Sequence, residues 1–196
     1  MEKTLAIALC AAVGAAASAG PIGPAGTATQ VQRQPAPGPG TNAVDNEMLE
    51  DFDCYAPGAL ITAQPGWEFW PGGTVSAPVV TTYAASGANS MHLAQTGADI
   101  VHQFEYTEGQ LIFSCMTYME SSATDVQAYV IALNSWDGSG ATPGTLWSMQ
   151  VKFDSFLGEL ESQFRSFFTP MIYDRWVELR AEIDLDADLW DLYYDG

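Results

Sequence analysis

The chain has 196 residues, 47 % apolar and only 15 % charged, enough to bury the core of one domain and little more. Twenty-four acidic against six basic residues give a formal net charge of −18. Such a field repels phosphate backbones and anionic lipid headgroups, so nucleic acid and membrane surfaces are poor partners; it suits solubility, cations and neutral ligands such as sugars.

Residues 1–19 read as a signal peptide. Lys3 supplies the positive start, Leu5 to Ala17 is an apolar run of leader length, and Ala17-Ser18-Ala19 is an A-x-A cleavage motif. The run is too short to span a bilayer. Leu9 is too bulky to precede a lipidated cysteine, so Cys10 does not mark a lipoprotein. Cleavage after Ala19 removes Cys10 and leaves Cys54 and Cys115, which either pair in an oxidising compartment or stand as two separate thiols. The expected location is secreted, extracellular or cell-surface, with no membrane insertion after cleavage. Residues 20–50 are dominated by Pro and Gly early on and predict a disordered linker.

From Asp51 onward, short β-type runs alternate with turn residues. Asp51 to Tyr55 is a first strand candidate. Two Pro-Gly pairs bracket Ala59-Leu60-Ile61-Thr62-Ala63. Val79 to Tyr83, Met91 to Gln95, Asp99 to Tyr106, Gly109 to Met119, Val126 to Asn134, Leu146 to Asp154 and Gly158 to Phe164 follow, with an Asp-Gly-rich loop after Trp136. The one helical hint is a turn around Leu157 to Phe168. Trp176 to Leu185 alternates most cleanly: Val177, Leu179, Ala181, Ile183 and Leu185 share one face. Asp186-Ala187-Asp188 then turns the chain into a second strand, Leu189 to Tyr194. Roughly ten strands about a dozen residues apart give an all-β, antiparallel two-sheet sandwich over 51–196. The closing Asp195-Gly196 is a turn signal that normally introduces another strand, so the expectation is a sandwich lacking its last strand or strands.

The pattern RWVELRAEIDLD (Arg175 to Asp186) followed by YYDG (Tyr193 to Gly196), preceded by WSMQVKF (Trp147 to Phe153), resembles the concanavalin A-like lectin/glucanase jelly roll, including its laminin G-like branch. The resemblance covers about three quarters of the chain. It implies two curved antiparallel sheets, a concave face used for glycans, and in some members a calcium ion at the rim.

Three constellations bear on chemistry. EIDLD resembles the carboxylate signature of jelly-roll β-glucanases, which implies Glu182 as nucleophile, Asp184 as helper and Asp186 as acid/base. Retaining hydrolysis needs two carboxyls about 5–5.5 Å apart. Residues four apart on a strand are about 13 Å apart at Cα, so a solvent-facing charge ladder offset by Arg180 is the favoured reading. Asp184, Asp186 and Asp188 also offer hard oxygens for calcium, although the EF-hand template fails for want of its Gly and terminal Glu. Trp67 and Trp70, in a Pro/Gly-rich loop, and Trp136 are candidate sugar-stacking rings, with core packing as the alternative. His92 and His102 are isolated, and no zinc, phosphate-loop or serine-elbow motif occurs. The functional expectation is a non-catalytic binding or adhesion module for carbohydrate, needing no cofactor, with calcium as an optional ligand. The alternatives are a β-glucan hydrolase and a structural spacer domain.

Overall fold

The computed structural model of the chain describes residues 5–12, 50–93, 97–104, 106, 108–133, 136, 147–162 and 167–196. The A-x-A motif, the loop at 137–146 and all of the linker expected at 20–50 except Glu50 lie outside them. The protein is an all-β sandwich of antiparallel sheets, with one short 3-10 turn at Ile61–Ala63. Among the described residues no helix is long and apolar enough to cross a membrane.

The strands are β1 (Leu5–Ala12), β2 (Trp67–Phe69), β3 (Val79–Val80), β4 (Ser90–Met91), β5 (Asp99–Phe104), β6 (Gln110–Tyr118), β7 (Gln127–Leu133), β8 (Trp147–Asp154), β9 (Glu159–Ser162), β10 (Phe167–Pro170), β11 (Trp176–Asp184) and β12 (Leu189–Tyr194). The larger sheet has the order β10-β9-β8-β7-β1-β5-β2, the smaller β12-β11-β6, and β3 and β4 form a short ribbon. Residues 5–12 of the apolar run read as a leader thus supply an interior strand of the larger sheet, between β7 and β5.

The two main sheets meet through the face that period two predicts. Leu179, Ala181, Ile183 and Leu185 pack on Val130, Ala132, Met149, Val151, Phe153 and Leu160, all buried, with Leu111, Phe113, Leu192 and Tyr194 closing the sides. β11 alternates half-buried and buried residues along its whole length. The far end of the same inner face is covered by a different cap, in which Ile61, Ala77, Val79 and Ile100 gather Phe52, Tyr55, Trp67 and Met91.

Several expected strands are shorter or absent, each for a local reason. Asp51 to Tyr55 is a turn, because the Glu50 and Asp51 carboxylates accept hydrogen bonds from the backbone N–H of Phe52 and Asp53, and Phe52 takes a left-handed φ of 63°. Short-range bonds of that kind compete directly with a ladder. The turn is then fastened at a distance. Asp53 Oδ1 accepts from Ala88 N and Asn89 N, both at 2.9 Å, and Asn89 Nδ2 donates to the carbonyls of Phe52 and Tyr55. A Cβ on Gly87 would fall 1.7 Å from Asp53 Oδ2, so only glycine lets the loop come this close. Ala59 to Ala63 becomes the 3-10 turn, and Val79 to Tyr83 keeps only two strand residues. Leu157 to Phe168 contains β9 and the start of β10 rather than a helical turn, with 163–166 outside the described residues.

Leu179 is fully buried on β11 and Ile112 is 65 % exposed on the neighbouring β6. Leu179→Ala should therefore cost about 2–5 kcal/mol of stability in urea unfolding, while Ile112→Thr stays within about 0.5 kcal/mol. Equal losses would mean that the sheets do not meet on the β11 face described.

Candidate functional site

The inner face of the larger sheet is spent on the core, and its outer face carries polar groups, of which Gln150 and Asp154 are buried, Glu68, Tyr129, Lys152 and Glu161 half-buried and Gln103 exposed. Register places Glu68 of β2 beside Val101 of β5, and Val101 and Ile131 on opposite sides of β1 at the position of Ala8. Ile131 pairs with Gln150, Tyr129 with Lys152, and Lys152 with Glu161 on β9. One face therefore presents Glu68, Gln103, Tyr129, Gln150, Lys152 and Glu161 around an apolar floor of Val101, Ile131 and Leu133.

Trp136 lies on that floor, 8 % exposed, with Trp70 beside it at 4.8 Å between ring centroids and 46° between planes. Trp136 Nε1 donates to Glu68 Oε1 at 2.7 Å, and Gln103 Nε2 donates to the same oxygen at 2.6 Å. Glu68 thus orients one ring and one amide together. Further along, Lys152 Nζ lies 2.6 Å from Glu161 Oε2 and 3.3 Å from Asp154 Oδ2. Burial opposes its charge, but the hydrogen bonds and charges of Glu161 and Asp154 outweigh burial and hold the ammonium above its usual range. Asp154 also accepts from Gln127 Nε2 and from the backbone of Leu157.

Gln150 is the exception on this face. It is 7 % exposed, and among the described residues its Oε1 has no hydrogen-bond partner. A buried acceptor without a donor costs on the order of 1–3 kcal/mol.

Of the three candidate stacking tryptophans, the structure brings together Trp70 and Trp136. Trp67 belongs to the other side of the sheet, packed edge-on against His102 at 4.9 Å within the inner cap. The period of two agrees with this, because Trp70 is an odd number of positions, three, along from Trp67, just past the end of β2.

The acidic candidates sit on the outer face and hairpin turn of the smaller sheet, away from the aromatic pair. Asp184 Oδ1 accepts from Asp186 N and Ala187 N, Asp184 Oδ2 accepts from Gln110 Nε2, and Asp186 Oδ1 accepts from Gly109 N. The bond from Ala187, with those from Gln110 and Asp186, holds the Asp184 carboxyl below its usual range. Asp188 takes a left-handed φ of 59°, which closes the turn. Glu182 receives Tyr193 Oη at 3.4 Å and lies 3.6 Å from Arg180 Nη1, whose guanidinium covers the Tyr193 ring. Asp184 and Asp186 build the hairpin, and Glu182 belongs to a ladder with Arg180. Among the described residues no group of three or more His, Cys, Asp and Glu side chains is arranged to hold a metal ion.

Cys54 and Cys115 are both free thiols. Cys54 is exposed in the first turn, whereas Cys115 lies on the inner face of β6 against the core. Compared with protein-family models, curated proteins and solved structures, the chain matches none.

Sequence reasoning missed Glu68, Gln103, Tyr129, Gln150 and Lys152. Polar positions of an alternating strand are ordinarily solvated, and Gln150 and Lys152 alternate with Met149, Val151 and Phe153 in that way. The signal was in the neighbouring strand. Tyr129, Ile131 and Leu133 make β7 apolar on both faces, the composition of a strand covered on both sides.

Burial, with some repulsion from Glu178, pushes the Cys115 thiol up to about 12. A raised value keeps it protonated, so at pH 8 only about one molecule in ten thousand carries the reactive thiolate. In a chain carrying Cys10→Ser, a thiol reagent at pH 8 should label Cys54 alone until denaturant is added, and Cys115 thereafter. Equal labelling rates in the folded chain, or a mass two hydrogens short, would contradict this placement.

Proposed function

We infer that the chain is an exported, non-catalytic β-sandwich module of the jelly-roll kind that binds neutral carbohydrate on the outer face of its larger sheet. The observation that carries this reading is the buried, partnerless Gln150 Oε1, on the same sheet face as the Trp70–Trp136 pair and the Glu68–Gln103 bond. Sugar rings present apolar C–H faces to aromatic rings, and their hydroxyls donate to amides and carboxylates. The net charge of −18 favours a neutral glycan over phosphate or anionic lipid. Binding at such a surface serves attachment or adhesion outside the cell.

Hydrolysis by Glu182 would need a second carboxylate, converging and unengaged. Asp184 and Asp186 are both committed to backbone N–H groups of the turn region, which supports binding rather than turnover. Calcium is not required by this reading.

A glycan-array scan should return neutral oligosaccharides. Trp70→Ala and Gln150→Leu should each weaken the best hit by about tenfold or more, equivalent to about 1.4 kcal/mol, with the circular dichroism spectrum unchanged. No hits, or hits indifferent to both substitutions, would favour a spacer role.

A further inference from the structure

The outer face of the smaller sheet carries two clusters in which aromatic rings and carboxylates meet. In the first, Arg180 covers Tyr193: its guanidinium carbon stands 4.4 Å from the ring centroid, and its Nη1 lies 3.6 Å from Glu182 Oε1. The ring offers the cation its negative face and the carboxylate balances the charge. In the second, Trp176 of β11 stands directly opposite Tyr118 of β6, with ring centroids 5.4 Å apart and planes at 61°. Tyr83, from the loop after β3, stacks on Tyr118 at 4.4 Å and 20°. Glu178 is the next outward residue of β11, about 7 Å beyond Trp176 along the strand. It stands opposite Met116, and its Oε1 accepts from Ser114 Oγ at 2.7 Å. Glu120 lies beside Tyr83 and holds that phenol above its usual range, first through a hydrogen bond and then through its charge. Both clusters hold rings and carboxylates, but only the first draws its cation from the described part of the chain. The basic residues described are Lys152, Arg175 and Arg180, paired with Asp154 and Glu161, with Asp195, and with Glu182 respectively. The second cluster is also open to solvent, with Tyr83 39 % and Met116 48 % exposed.

We propose that the row Tyr83–Tyr118–Trp176 is a binding site for a small organic cation of the quaternary ammonium class, held against the rings and balanced by Glu178 and Glu120. Aromatic faces recognise such cations because a methylated ammonium is weakly hydrated and meets the ring quadrupole at low desolvation cost. The net charge of −18 draws cations toward the surface, and the exposed Met116 thioether beside the rings suits the methyl groups. A metal ion instead wants several convergent hard ligands, and among the described residues no group of three or more His, Cys, Asp and Glu supplies them. A phosphate attached to the ammonium, as in a phosphocholine headgroup, would face the same carboxylates, so the ligand is a free cation and not a zwitterionic lipid. The row is on a different sheet from Trp136 and does not depend on the sugar-binding reading.

The test titrates choline into the full, isotope-labelled chain at fixed ionic strength and follows the indole N–H signals by NMR. Trp176 Nε1–H should shift and saturate while Trp67 and Trp136 stay in place. The uncharged carbon isostere of choline, in which a tert-butyl group replaces the trimethylammonium, should bind at least about fivefold more weakly. Phosphocholine should also bind more weakly than choline. Glu178→Gln and Tyr83→Ala, neither in the core, should each weaken choline by about threefold or more, with the circular dichroism spectrum unchanged. The proposal is overturned if no signal saturates, if the shifts fall on Trp136 or Trp67, if the isostere or phosphocholine binds as tightly as choline, or if neither substitution changes the affinity. None of these readouts involves glycan, so this site and the sugar-binding face fail independently.

Discussion

Everything in this fold depends on burying one face of β11. Val177, Leu179, Ala181 and Ile183 are all at or below 9 % exposure, and they hold the smaller sheet against β7, β8 and β9 of the larger. Burial of such side chains stabilises by about 1.5–3 kcal/mol each before ordering costs. Because the period is two, the same commitment sends Glu178, Arg180, Glu182 and Asp184 outward, where they form ladders and a turn. Core packing and charge ladder are two consequences of one alternation.

How much was legible in the sequence follows from how each segment is stabilised. Strands that bury one face, β6 and β11, could be read from alternation alone, as could the hairpin into β12. Segments governed by side-chain-to-backbone bonds could not. Glu50 and Asp51 turn the chain where Asp51 to Tyr55 looked extended, and Asp53 and the Phe52 carbonyl fasten that turn to Asn89, on a loop more than thirty residues away. Asp184, Asp186 and Asp188 looked like ligands because alternating carboxylates suit metals and catalysis; in the structure their geometry is that of a tight turn. Of the aromatic candidates, Trp70, just after β2, and Trp136, just after β7, meet only because the fold brings segments distant in sequence together. Nothing local to either residue announces it.

The two faces of the larger sheet differ in kind. Its inner face is mostly apolar, with His102 and Ser162 as buried polar exceptions. Its outer face mixes Trp136, Ile131 and Leu133 with Glu68, Gln103, Gln150 and Lys152, and nearly all of these polar groups are satisfied by one another. Mutual satisfaction fixes their orientation, since releasing one partner would strand the other in a region of low dielectric. Gln150 Oε1 stands out against that background, and a rigid surround with one open acceptor favours a ligand that can donate to it.

The most direct test of the account follows side-chain N–H signals by NMR while an oligosaccharide is titrated into labelled protein. Trp136 Nε1–H and the Gln150 side-chain amide should shift together and saturate with the ligand, while Trp67 Nε1–H, on the other side of the same sheet, stays in place. Shifts confined to Trp67, or to Tyr118 and Trp176 on the smaller sheet, would put the ligand elsewhere and contradict the outer face as the binding surface.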